Sequence, residues 1–298
     1  MPRRKDIWHC GIVRRPIERV LAGDYGAQDV VWFPREPEFT FLADPFGHDD
    51  GTHLHVFAEQ YDYRTRHGVI ERLTFDRGHS LVDRRLVLKE PWHLSYPQVF
   101  RGEGEVWMLP EAHRSGGLTL YRGDATLDRW TPECRIELDS VPVDASILHH
   151  DGRWWLFYSS GENRATKLGS LRVAWAERLA GPWTALPGNP VRLDRQSARP
   201  GGTPVVIDGR IMLPTQDCSS TYGGAIRPLW ITRLDTTGFT AEAGDPLALP
   251  PSAPRGCEGM HTLSACGDVT LFDVKTIDRS FSGLLLELRR MLGRYAQE

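Results

Sequence analysis

An all-β fold, a single five-bladed β-propeller with a short C-terminal helix, is predicted by three features of the sequence. Five segments repeat one hairpin pattern, the repeats follow one another at 48 to 58 residues, and helical periodicity is confined to the end of the 298-residue chain. A four-stranded blade needs a period of that size. The propeller is expected over 1–280 and an amphipathic helix packed on it over 281–298.

Each repeat is a small or polar residue, a short strand, a Gly-containing turn, and a second apolar strand that ends in a polar residue. The first runs from Ala43-Asp44-Pro45-Phe46 to Phe57-Ala58-Glu59, and the second from Ser95-Tyr96-Pro97-Gln98 to Leu109-Pro110-Glu111. The third runs from Val143-Asp144-Ala145-Ser146 to Phe157-Tyr158-Ser159, and the fourth from Gly201-Gly202-Thr203-Pro204 to Thr215-Gln216-Asp217. The fifth runs from Gly259-Met260-His261-Thr262 to Asp273-Val274-Lys275. The second residues of these segments, at 44, 96, 144, 202 and 260, are followed 7 or 8 residues later by Gly51, Gly104, Gly152, Gly209 and Gly267. Three of these glycines lie in Asp-Gly pairs, which favour tight hairpins.

Residues equidistant from a hairpin turn face each other. That pairs Asp44 with Glu59, Tyr96 with Glu111, Asp144 with Ser159, Gly202 with Asp217, and Met260 with Lys275. As the inner strands of five blades, the hairpins bring all these open ends to one mouth. Segments 117–121, 171–175 and 229–232 read as outer strands, and the aromatic residues of Trp154-Trp155-Leu156-Phe157 as packing between blades. From 282 to 295 the pattern turns helical, with Leu284, Leu285, Leu288, Met291 and Leu292 on one face and Arg289, Arg290 and Arg294 on the rest.

The 36 basic and 39 acidic side chains are interspersed, for a net charge of -3, and no basic stripe of the kind that holds nucleic acid is present. No run of about 18 apolar residues reads as a spanning segment, and the N-terminus lacks the apolar core of a secretory signal, so a cytoplasmic protein is expected. Five cysteines, odd in number and without C-x-x-C spacing, read as reduced thiols. Zinc-protease, serine-hydrolase and phosphate-loop motifs are absent, and no cofactor is required by any motif.

Ala43-Asp44-Pro45-Phe46 and Val143-Asp144-Ala145-Ser146, the latter followed by Asp151-Gly152-Arg153-Trp154, resemble the five-bladed glycosidases of the family 43 type, the arabinanases and β-xylosidases. A longer match, from Ile7 to Lys275, resembles the N-terminal domain of glucosamine inositolphosphorylceramide transferases and its bacterial relatives. It is carried by the first of those motifs together with Phe57-Ala58-Glu59, His93-Leu94-Ser95-Tyr96-Pro97, Leu109-Pro110-Glu111 and Val143-Asp144-Ala145-Ser146. The glycosidase resemblance implies Asp44 as general base and Asp144 as an orienting carboxylate. Those enzymes place a general acid, Glu, at the start of the fourth blade, where this chain has Arg199-Pro200-Gly201-Gly202. The resemblance also implies a calcium ion in the central channel near His261.

Inverting glycoside hydrolysis needs two carboxyl groups on opposite faces of the scissile bond, one protonated and one ionised. Glu111 is the expected replacement for the missing acid, because crowding by Asp44, Glu59 and Asp144 raises carboxyl pKa values. The expected substrate contacts are Glu59, Tyr61, His93, Tyr96, Arg199, Asp217, His261 and Lys275. Arg199 and Lys275 point to an anionic group on a carbohydrate or sugar-containing ligand. Two readings follow. One is an enzyme acting on a glycosidic bond, by hydrolysis or transfer; the other is a carbohydrate-recognition propeller without turnover.

Overall fold

The computed structural model describes residues 5–283, 285, 286 and 288. Its strands form five antiparallel sheets, each a blade whose strands run in order from the axis outward. The first blade is Thr40–Asp49, Leu54–Asp62, His67–Phe75 and Leu81–Leu88, and the second is Ser95–Gly102, Glu105–Glu111, Leu118–Gly123 and Trp130–Ile136. The third is Pro142–His150, Arg153–Ser160 and Ser170–Ala176, edged by the short Thr184–Ala185 and Arg192–Leu193. In the fourth, the innermost strand is broken into Arg199–Pro200 and Val205–Ile207 before Arg210–Asp217, Ala225–Asp235 and Gly238–Ala243. All five expected hairpins are therefore the inner pairs of blades.

The fifth blade is built from both ends of the chain. Leu263–Cys266 and Val269–Asp278 are inner, and Lys5–Val13 and Val30–Trp32 complete the sheet outside them. Register runs from Lys5 opposite Asp278 to Val13 opposite Thr270. The ring is thus closed by a strand far away in sequence, as a propeller without free inner edges requires.

Apolar side chains gather in the five seams between blades. Ile12, Leu42, Val56 and Leu271 fill the seam between the fifth and first blades, and Phe57, Ile70, Met108 and Trp130 the next. Trp154 and Trp155 are neighbours in one strand and point to opposite faces, so Trp154 packs against the second blade and Trp155 against the fourth. Burying a side chain such as Ile12 or Phe57 stabilises the fold by about 1.5–3 kcal/mol relative to leaving it in water.

Helical residues follow the last strand at 281–283, 285, 286 and 288, with Phe281, Leu285 and Leu288 exposed. The remainder of the predicted helix, including Leu284, Met291 and Leu292, lies outside the described residues. Among the described residues no helix is long and apolar enough to cross a membrane.

Candidate functional site

The site is made by a backbone device repeated at the axis. In the first blade Ala43 faces Glu59, but Phe46 faces Phe57, so one extra residue is absorbed between them. The same slip separates Ser95 opposite Glu111 from Gln98 opposite Leu109, and Val143 opposite Ser159 from Ser146 opposite Phe157. The residues at these bulges are left-handed: Asp44 at φ 52°, Tyr96 at 47° and Asp144 at 49°. Such φ values cost of order 1–3 kcal/mol in a residue other than glycine, and a bulge re-aims its side chain. The expected pairing of Asp44 with Glu59 and of Asp144 with Ser159 is therefore off by one, because uniform alternation does not anticipate an extra residue.

The re-aimed aspartates join neighbouring blades. Asp44 accepts hydrogen bonds from the Thr262 hydroxyl at 2.7 Å and the Tyr96 amide at 3.2 Å, and its own amide donates to Asp273 at 2.9 Å. One oxygen of Asp144 accepts from Arg199 Nε and from Gln216 Nε2, both at 2.6 Å, while the Asp144 amide donates to Glu111 at 3.3 Å. Asp273 accepts from the amides of His261 and Thr262, both at 3.1 Å, and from His261 Nδ1 at 2.7 Å.

Above this ring lies a pit of about 700 Å³ lined by Asp44, Glu59, Glu111, Asp144, Arg199 and His261, with Tyr61 and His93 on its wall. Its carboxyl groups are shifted in different directions. Burial, and then the charges of Asp44, Glu111 and Asp144, push Glu59 well above the ordinary glutamate range. Burial raises Asp44 as well, against the opposing pull of His261. Burial lifts Asp144 to about 7, with Arg199 pulling it down and Glu111 pushing it up. Glu111 goes the other way. Burial favours its proton, but the 2.6 Å contact with His113 and the charge of Lys167 outweigh that and hold it well below the usual range. Crowding thus does not raise Glu111 as expected, and the glutamate pushed upward is Glu59. His93, depressed to about 4 mainly by burial, stands as a neutral ring with Nε2 3.5 Å from Glu59.

Three expected contacts stand outside the pit lining. Tyr96 is buried across the axis, where its hydroxyl meets Ser146 at 2.8 Å and accepts from the Gly202 amide, so it offers no face to a sugar. Asp217 is held by Arg227 at 3.0 Å and by the Ser219 hydroxyl at 2.6 Å. Lys275 is fully buried, donates to the Tyr222 carbonyl, and lies 5.4 Å from the centre of the Trp8 ring, which it supports.

Residues without a place in the repeat pattern complete the walls. Trp8, from the ring-closing strand, stacks on His261 at 3.6 Å with an 8° interplanar angle. Phe41 stacks on Tyr61 at 5.0 Å, and Tyr222 lies 5.0 Å from the Arg199 guanidinium. Arg114 follows the second blade's inner hairpin, and Arg164 and Lys167 follow that of the third, all lining the same pit. Trp8 and Tyr222 carry no periodic signal; the loop cations are visible only once their hairpins are placed around the axis.

The implied calcium ion can be tested against its residues. Asp44, His261 and Asp273 bring one ligand atom each within 4.8 Å of one another. Calcium takes six to eight oxygen ligands, whereas the Asp273 oxygens already accept three amides and an imidazole nitrogen. Amide protons aimed at the would-be ligand oppose a cation. This donor set does not fit calcium.

The family model described as glucosamine inositolphosphorylceramide transferase 1, N-terminal, matches residues 34–250. The chain belongs to this family. A curated relative, glucosamine inositolphosphorylceramide transferase 1 of Oryza sativa subsp. indica, is 34% identical over 236 residues, covering 74% of this chain and 31% of its own length. The chain thus matches under a third of that relative's length. Among solved structures, the catalytic domain of Coprinopsis cinerea GH62 alpha-L-arabinofuranosidase superimposes with a TM-score of 0.58 at 13% identity, covering 81% of this chain and 93% of that one. The GH43_1 enzyme from Xanthomonas citri complexed with xylotriose gives 0.56 at 17% identity, with 80% and 86% covered. At these identities the likeness concerns the fold.

Proposed function

We propose that this family member acts on a glycosidic bond of a saccharide that carries an anionic group. The observation that carries the reading is the set of four buried carboxyl groups, Asp44, Glu59, Glu111 and Asp144, that line one pit, their pKa values shifted in different directions. A carboxyl that favours its proton and one that favours ionisation, reaching a glycosidic bond from opposite sides, are what acid–base chemistry there requires. Glu59, pushed well above its ordinary range, is the acid in this reading and Asp44 the base, its raised pKa strengthening it in that role. Asp144, fixed by Arg199 and Gln216, orients the sugar. Tyr61 and Tyr222, both partly exposed, offer apolar faces to a pyranose ring, backed by the buried Phe41 and Trp8, and Arg114, Arg164 and Lys167 suit a phosphate or carboxylate at the rim. The names of the curated relatives and of the structural neighbours both concern glycosidic chemistry, and they support the substrate class.

A second reading, sugar recognition without turnover, is favoured by one observation. The fourth blade contributes Arg199 and Gly202 to the axis where the related glycosidases have a carboxylic acid, and Arg199 neutralises Asp144. The test is a product-resolved screen of glycosides, oligosaccharides and sugar nucleotides with the unmodified chain and Asp44→Asn. Turnover that disappears in the variant is expected. Full activity in the variant sinks the catalytic assignment, and saturable sugar binding without turnover selects the second reading.

A further inference from the structure

We infer that the wall of the propeller carries a second ligand site, a cleft between the fourth and fifth blades that takes a single hydrocarbon chain or ring with an ammonium group at one end. The cleft holds about 450 Å³ and shares no lining residue with the pit, so the inference is independent of the glycosidic reading. Its floor is Val13, Met260, Leu263 and Phe272, all buried. One wall is Val20 and Leu21 of the short helix Ile17–Leu21, with the turn that follows it. The other is Pro228 and Trp230 of Ala225–Asp235, together with the loop over 244–250. Both walls are fixed. The Gly244 amide donates to the Pro228 carbonyl and the Leu247 amide to that of Ile226, each at 2.8 Å, and the helix is closed by the Ala22 amide on Glu18 and the Asp24 amide on Arg19. A ligand therefore meets a preformed site and is spared the cost of ordering it.

The lining decides what belongs there. Protein interiors are close-packed, and a space of this size over buried apolar side chains has the dimensions of a ligand site rather than of a packing defect. Among the described lining residues only Tyr25, Trp230 and Asp245 have side chains with an N–H, O–H or carboxylate. A sugar would bury hydroxyls, and a peptide its backbone, without enough partners, since the loop amides of Gly244 and Leu247 already donate to the neighbouring strand. A hydrocarbon has no such need. Asp245 is exposed, is the one charged side chain among the described lining residues, and has no hydrogen-bond or ion-pair partner among the described residues. A lone carboxylate beside an apolar space selects a cation, and the Tyr25 ring adds an aromatic face that suits an ammonium. At about 30 Å³ for a group the size of a water molecule or a methylene, the cleft has room for roughly fifteen such groups, one chain and not two.

The test is calorimetric titration of the full chain at neutral pH with n-alkylamines from hexyl to dodecyl, and with n-alkanols and n-alkanoates of the same lengths, all below their micelle concentrations. Expected are saturable binding of one amine per chain, affinity that rises about threefold to fourfold per added methylene, and a preference of at least about tenfold for amine over carboxylate. Asp245→Asn should lower the amine to the affinity of the alcohol. Ala248→Trp, at an exposed position of the lining, should fill the cleft and remove binding. No saturable binding, equal affinity for amines and carboxylates, or binding undiminished in Ala248→Trp overturns the inference. A dimer in sedimentation that Ala248→Trp abolishes overturns it too, by making the occupant a second copy of the chain. If Ala248→Trp does not fold, Asp245→Asn still decides through the amine-to-alcohol ratio. Neither residue lines the pit, so any glycoside turnover found in the screen should be unchanged in both variants, and failure of one site is told apart from failure of the other.

Discussion

The first and third blades place Asp44 and Asp144 in left-handed bulges at the axis, whereas the fourth places Gly202 at the corresponding point, at φ 147°. A side chain at 202 would put its Cβ 1.8 Å from the Leu263 carbonyl oxygen, because there the backbone of the fourth blade runs directly against the fifth. Aspartate tolerates the left-handed region better than most residues, so the first and third blades can spend the bulge on chemistry. The fourth cannot, and Arg199, placed earlier in the same broken strand, serves Asp144 instead. The same hairpin corner thus yields a functional side chain or a packing junction, depending on how closely the next blade approaches.

The largest break in this comparison is expected from Gly202→Ala. Forced against backbone in a region that only glycine favours, it should fail to fold or lose more than about 3 kcal/mol in urea denaturation. Asp44→Asn, at the matching corner, should keep the fold while removing turnover. Next comes Arg199→Met, which strips Asp144 of its cation and should cost about 3–5 kcal/mol. That loss should be greater at pH 9 than at pH 5, where Asp144 is protonated, and denaturation at the two pH values measures it.

The linked titrations sharpen the contrast between carboxylates. Asp144, at about 7 in the folded chain, binds its proton more tightly there than when unfolded. Its contribution is complete below about pH 4 and falls away as pH rises to 7, at up to about 1.4 kcal/mol per pH unit. Glu59, raised well above its ordinary value, acts with the same sign. Glu111 is lowered, so its contribution is present above its ordinary value and is lost as pH falls through the folded one. Asp144→Asn should therefore flatten stability against pH on the neutral side, and Glu111→Gln on the acid side. The smallest effect is expected from Tyr61→Leu: fold unchanged and sugar affinity reduced about threefold to tenfold, by calorimetry with whichever saccharide the screen selects.

Much of this was legible in the sequence because a blade is local. Asp-Gly turns and apolar strands placed the inner hairpins, the hairpin ends named Asp44, Glu59, Glu111 and Asp144, and the resemblance pointed to Arg199 and His261, all of which line the pit. Tyr61 and His93 line it too. What escaped depends on contacts between blades. Tyr96 looked like a rim aromatic, but its bulge turns it inward to Ser146 and Gly202. Asp217 ends its strand and Lys275 lies within a longer one, yet Arg227 and Tyr222 claim them first. Trp8 belongs to a strand whose partner lies at the other end of the chain, and no window of sequence brings the two together. The protonation of Glu111 turns on His113, a neighbour in a short turn after the hairpin.

That ring-closing strand also decides where the chain can be joined to anything else. Lys5 and Asp278 sit opposite each other, and Asp6, next to Lys5, lines the pit. Both exits from the propeller therefore open beside its mouth rather than on its underside. A partner tethered at either exit would meet the pit at the high effective concentration that a short linker confers, and a saccharide released there could change hands without first diffusing away.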